Sequence, residues 1–169
     1  HFYEDNANKI IPGLFLGNYL ASQSSKFIDN NKIKAIVNLT PDFPNTFDNK
    51  IDYLRIPVQN KKEYIKIFEN YLPLAYKFID QHIENNQNVL IHCKAGHRRS
   101  VSLIVYYLMK KYGFSRKIAF DYIKEIRPTI HNSKPACKHD RTTSTDITTY
   151  HCKCATYKIQ WNKDFRSRI

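Results

Sequence analysis

Residues 89–109 read VLIHCKAGHRRSVSLIVYYLM, and the rest of the chain is organised around this stretch. Val89, Leu90 and Ile91 form a short apolar, partly β-branched run suited to a buried strand. Cys93 to Arg99 is a tight polar loop containing Gly96. From Ser100 to Met109 the chain is apolar at helical spacing, so that Val101, Ile104, Val105 and Leu108 can share one face. A strand that feeds a loop opening a helix aims backbone N–H groups and the positive end of a helix dipole at one point. That point favours anions, and Cys93 stands beside it.

The residue types in the loop supply the chemistry. A free thiol ionises near pH 8.5, and a helix N-terminus or nearby cations lower this to roughly 3.5–7.5. Cys93 is then expected to be a thiolate able to attack phosphorus. The planar guanidinium of Arg99 can grip two phosphoryl oxygens at once. The amides of Lys94, Ala95, Gly96, His97, Arg98 and Arg99 can hold the equatorial oxygens as charge shifts. Ser100 can donate a hydroxyl hydrogen bond to the sulfur and help it depart. His92 can fix the backbone at Cys93. The alternative for Cys93 is a small buried hydrophobe, a role that makes no use of Lys94, His97, Arg98 and Arg99 beside it.

HCKAGHRRS, residues 92–100, resembles the signature of the cysteine-based protein phosphatases, in particular their dual-specificity branch. Supporting segments follow in the same order: IPGLFLGN at 11–18, IVNLT at 36–40, YLRIPV at 53–58, YLPLAYKFID at 71–80 and AFDYIKEIRPTI at 119–130. The resemblance covers about residues 8 to 131. It implies an α/β fold of three layers, the protein tyrosine phosphatase-like arrangement, with a central mostly parallel sheet flanked by helices. It implies a phosphatase acting on phosphotyrosine and phosphoserine or phosphothreonine in proteins, through a cysteinyl-phosphate and with neither metal nor cofactor. A catalytic domain over 1–131 is expected, followed by a divergent tail over 132–169 that packs on the same domain.

One departure bears on mechanism. In the resembling family an Asp just after the IPV-type strand protonates the leaving oxygen. Counting forward from Pro57, that place is held by Asn60, whose amide cannot act as an acid. Counting back from the following helix leaves the register open, and Glu63 is the nearest carboxyl that could substitute. Glu63 also reads as an acid placed to favour a helix N-terminus. A general acid is worth about 10² to 10⁴ in rate, and most for poor leaving groups. Its absence would favour aryl phosphates or terminal phosphates of polyphosphates. An RNA 5′-triphosphatase or polynucleotide 5′-phosphatase of the same fold is therefore the second hypothesis, and a weakly active phosphate-binding module the third.

Outside this core, Ile10 to Leu16 reads as a strand pair turned at Pro12-Gly13. Ala21 to Asn30 reads as one short helix, Ile33 to Leu39 and Ile51 to Val58 as strands, and DFPNTFDNK as a loop. Ile65, Phe68, Leu72, Ala75, Ile79 and Ile83 have helical spacing, with Pro73 expected to open a fresh helix after a short turn. Gly113 is expected to close the helix after the loop, and Ser115 to cap another, ended by Pro128. In the tail, Tyr157, Ile159 and Trp161 suit a strand, whereas Trp161 and Phe165 would meet on a helix. Cys137, His139, His151, Cys152 and Cys154 are zinc-ligand types, but their spacings do not match a structural site, and no metal is expected.

Composition sets outer limits. With 169 residues, 42% of them hydrophobic, and 12 Tyr and 10 Phe, the chain can build a core and is not of the disordered class. No apolar run spans a bilayer and no secretory pattern is present, so no membrane partner is expected. Met109 is the single methionine, so the natural start is expected upstream. Four cysteines without a secretion signal do not read as a disulfide framework, and a reactive thiolate suits the cytosol or nucleus. The net charge of +12, from 27 Lys and Arg against 15 Asp and Glu, favours anionic partners. Phosphorylated proteins come first and nucleic acid second, while a generally basic, solvated surface gives the same sum. The oligomeric state is not legible.

Overall fold

The computed structural model describes residues 6–130. The tail from 132, with Cys137, His139, His151, Cys152, Cys154, Tyr157, Ile159, Trp161 and Phe165, lies outside the described residues. Among the described residues five strands form one sheet: β1 (Ala7–Ile11), β2 (Leu14–Gly17), β3 (Ile33–Asn38), β4 (Asp52–Arg55) and β5 (Asn88–His92). Their order is β1-β2-β5-β3-β4. The β1–β2 hairpin, turned at Pro12-Gly13, is antiparallel. The pairs β2–β5, β3–β5 and β3–β4 are parallel, so the sheet is mostly parallel as expected.

A parallel sheet covered on both faces needs strands that are apolar on both sides. Side chains alternate between the faces. Leu14, Leu16, Ala35, Val37, Val89 and Ile91 enter one core, while Phe15, Ile36 and Leu90 enter the other. The smaller core is closed by α1 (Tyr19–Gln23) and α2 (Ser25–Asn30) through Ala21, Phe27 and Ile28. The larger is closed by α3 (Ile65–Glu84), α4 (Arg99–Tyr112) and α5 (Arg116–Ile126). These make the three layers.

Local chemistry explains four differences from the sequence expectations. The single helix expected over 21–30 is two, because the hydroxyl of Ser24 accepts from the Phe27 N–H at 3.1 Å and starts a new helix. The strand expected to reach Val58 ends at Arg55. Ile56 N–H still donates to Asn38 at 2.8 Å, but Pro57 has no N–H with which to extend the ladder. Pro73 does not open a helix: a 3-10 turn, Lys62–Tyr64, runs into α3, which passes through Pro73 without a break. Pro73 sits on the exposed face, where water can serve the carbonyl that its missing N–H leaves over. Finally, α4 buries nearly every side chain from Ser100 to Met109 rather than one face, because it lies between the sheet and the other helices. Its Tyr107 is fully buried and donates to Asp80 of α3 at 2.9 Å, and Lys111 pairs with Asp80 and Glu84.

Register positions the site. His92 is level with Gly17 on one side and Asn38 on the other, and Asn38 is level with Arg55. The carboxyl ends of four strands therefore coincide. Binding crevices in open parallel sheets lie at this edge. Among the described residues no helix is long and apolar enough to cross a membrane.

Candidate active site

Strand β5 ends at His92, and the next residue delivers its sulfur to that carboxyl edge. The chain then turns through residues 94–98 and enters α4 at Arg99. Arg98, at the cap position, gives no side-chain hydrogen bond to the helix N-terminus, which leaves the first N–H groups of α4 without a side-chain acceptor there. Gly96 is what lets the loop close so tightly. Its φ is +70°, and a Cβ there would stand 2.7 Å from the Gly17 carbonyl oxygen, which is backbone and cannot step aside.

Cys93 is only 3% exposed, so its sulfur lies at the floor of the loop. Burial by itself pushes the thiol up. The Ser100 hydroxyl, 3.2 Å from Sγ, the Ser100 N–H, the Arg99 charge and the Gly96 N–H together outweigh it and bring the thiol below its ordinary value. A cysteine buried among apolar groups would be displaced the other way. Arg99, half-buried, is held by its Nη1, which donates to the carbonyls of Leu39 at 3.0 Å and Val58 at 2.7 Å. Among the described residues no hydrogen bond engages Nε or Nη2, the pair suited to two oxygens of one phosphoryl group. His92 is 1% exposed and its Nδ1 donates to the Cys93 carbonyl at 3.3 Å. Burial first, then the charges of Arg99 and Arg55, lower its pKa to about 4 against the opposing pull of that hydrogen bond. The ring is therefore a neutral spacer.

The remaining loop residues line the rim: Lys94, Ala95 and Arg98 are exposed and His97 half-buried. The positions weighed for the general acid lie close along the chain. Val58 holds Arg99, Asn60 follows two residues later and is exposed, and exposed Glu63 sits in the 3-10 turn heading α3. Among the described residues neither side chain hydrogen-bonds Cys93, Arg99 or Ser100. Glu63 stands in the first turn of the 3-10 helix that runs into α3, and Asn60 precedes that turn.

Several contributors escaped the sequence. Arg55 donates to the carbonyls of Thr40, Pro41 and Phe43 at 3.2, 2.8 and 2.8 Å. Buried Asn38 adds a bond to the Phe43 carbonyl at 2.9 Å. Together they present the Phe43 ring, which stacks on Tyr19 with centroids 4.4 Å apart. Tyr19 N–H in turn donates to the Lys94 carbonyl at 3.2 Å. Arg127, 3% exposed, reaches the loop from behind. The charged residue within YLRIPV and the one before Pro128 were the available signals, and neither says where its side chain turns.

Residues 14–138 match the family described as dual specificity phosphatase, catalytic domain. The chain is 37% identical over 131 residues to the dual specificity protein phosphatase Mpk3 of Drosophila melanogaster, covering 76% of this chain and 31% of that protein. It is 35% identical over 124 residues to human dual specificity protein phosphatase 9, covering 72% of this chain and 32% of that one. It thus spans about a third of the length of these relatives. The crystal structure of DUSP15 superposes with a TM-score of 0.69 at 31% identity, over 75% of this chain and 79% of that one. The human tyrosine phosphatase-like serine/threonine/tyrosine-interacting protein superposes with a TM-score of 0.68 at 27% identity, over 75% and 87%.

Proposed function

The chain belongs to the dual specificity phosphatase family, and from that premise we propose that it hydrolyses phosphotyrosine and phosphoserine or phosphothreonine in proteins. The observation that carries this reading is the buried Cys93 sulfur held below its ordinary pKa at the floor of a loop that Arg99 closes.

The chemistry takes two displacements. The Cys93 thiolate attacks phosphorus, an S–P bond forms, and the ester P–O bond breaks. The departing oxygen takes up a proton. Water then attacks the cysteinyl-phosphate, the S–P bond breaks with its electrons returning to sulfur, and inorganic phosphate leaves. Arg99 and the loop amides follow the equatorial oxygens through both transition states. Ser100, fixed 3.2 Å from Sγ, stabilises sulfur as leaving group in the second step. The proposed chemistry draws on no metal or cofactor. A thiolate of this kind fits a reducing compartment, the cytosol or nucleus.

Two features support the polynucleotide 5′-phosphatase as a second reading: Asn60 at the place counted forward from Pro57 for the acid, and the net charge of +12. A phosphoanhydride leaving group has little need of an acid. Activity on a phosphotyrosine peptide, a phosphothreonine peptide and triphosphate-ended RNA at matched concentration separates the two. Phosphopeptide turnover is expected to exceed phosphate release from RNA, and the reverse order would overturn the protein-substrate reading. Cys93→Ser should abolish turnover while retaining phosphate-ester binding, and substantial residual activity would refute the nucleophile. A burst of covalent phosphoenzyme separates catalysis from mere binding. Asn60→Asp should raise turnover by up to about 10²-fold, most for phosphothreonine. No change, with a loss in Glu63→Gln, would move the acid to Glu63.

A further inference from the structure

We propose that Arg127 is the positioning residue that orients the anion-binding amides of the 94–98 loop, an assignment resting on the function proposed above. Arg127 lies at the C-terminal cap of α5, remote in sequence from the nucleophile, and is 3% exposed. Its Nε donates to the Gly96 carbonyl at 3.2 Å and its Nη2 to the Ala95 carbonyl at 3.4 Å. Its Nη1 donates to the Asn8 side-chain carbonyl on β1 at 2.8 Å, which anchors the fork.

The consequence follows from peptide stereochemistry. The described residues contain no cis peptide bonds, and in a trans peptide the C=O and N–H point in opposite directions. Holding the Ala95 carbonyl on the outer side therefore turns the Gly96 N–H inward, and Gly96 N–H is one of the groups that lower the Cys93 thiol. Holding the Gly96 carbonyl turns the His97 N–H inward in the same way. The Lys94 carbonyl is taken by Tyr19 N–H at 3.2 Å, which turns the Ala95 N–H inward. Three consecutive peptides are thus pinned by their carbonyls, two of them by one guanidinium. Gly96, at φ +70°, is the joint in this segment with the most conformational freedom, so it has most need of an external clamp. A planar fork suits two neighbouring carbonyls. An ammonium, a point charge on a flexible stem, does not hold both in fixed directions.

The test compares the parent chain with Arg127→Met, Arg127→Lys and Asn8→Ala. The readouts are inhibition by inorganic vanadate, the pH dependence of Cys93 alkylation by iodoacetamide, kcat and KM on an aryl phosphate, and the thermal midpoint. Releasing the two carbonyls should weaken vanadate binding in Arg127→Met by roughly 10- to 100-fold, or about 1.4–2.8 kcal/mol. Its alkylation profile should also move to higher pH. Arg127→Lys should fall between parent and Met, and Asn8→Ala should shift in the same direction by less. A purely structural role would lower the thermal midpoint and leave the vanadate constant and alkylation profile of the folded fraction unchanged, which would overturn the proposal. If Arg127→Met does not fold, the Lys and Asn8 variants decide by the same two readouts. A parent that neither binds vanadate nor turns over the aryl phosphate refutes the functional reading. A competent parent matched by its variants refutes this inference alone.

Discussion

His92 shows how burial converts an ordinary side chain into a constraint. Its buried ring donates to the Cys93 carbonyl and is held neutral because charging it there would cost solvation. An unfolded histidine takes up its proton near the ordinary 6.5, the folded one only at about 4. Between those values the unfolded chain binds more protons, so stability falls as pH falls through the window. It is complete above 6.5 and reduced by up to about 3 kcal/mol at the lower end. Denaturant unfolding between about pH 7 and about pH 4.5 should show a steeper loss in the parent than in His92→Gln, which keeps a donor but does not titrate. Parallel curves would show that His92 is not the acid-sensitive group.

Elements owe their limits to single residues in this fold. α4 ends where Gly113 takes φ +71° and returns its N–H to the Met109 carbonyl at 2.9 Å. Among the described residues nothing lies within 4 Å of the position a Cβ would occupy, so replacing this glycine tests backbone conformation without a clash. Gly113→Ala should cost about 1–2 kcal/mol and lower the thermal midpoint by roughly 2–4 °C per kcal/mol, with kcat/KM unchanged. An unaltered midpoint in calorimetry would show that the left-handed cap contributes nothing. Gly96 contrasts with it. A similar φ occurs there against the Gly17 backbone, so sterics and conformation act together. Helix α3 makes a related point. Twenty residues, anchored by Leu72, Ala75 and Ile79, carry Pro73 through on the wet face, because tertiary packing outweighs one missing hydrogen bond.

At the scale of the whole molecule, the excess of positive charge acts over distances set by salt. The Debye length falls from about 30 Å at 0.01 M to about 8 Å at 0.15 M ionic strength. Attraction of an extended acidic substrate is lost over that range, whereas contacts made inside the loop are screened much less. The kcat/KM for an acidic phosphopeptide should therefore fall several-fold between these conditions, and that for a small aryl phosphate should fall less. Equal salt responses would assign the charge to general solvation rather than to substrate capture.

The sequence by itself determined the strand-loop-helix of 89–109, the alternation that gives the sheet two apolar faces, the hairpin at Pro12-Gly13 and the placing of Cys93 and Arg99 at the two ends of one loop. Each is written in local spacing: a period of two, a period near 3.6, or six residues from Cys93 to Arg99. Only the tertiary structure decided the rest. It put His92 level with Gly17 and Asn38, brought the Leu39 and Val58 carbonyls to Arg99, and turned Arg55 and Arg127 inward onto backbone oxygens. The physical reason is that a backbone carbonyl has no residue identity. Which one a buried guanidinium meets depends on how distant segments pack, and no local spacing encodes it.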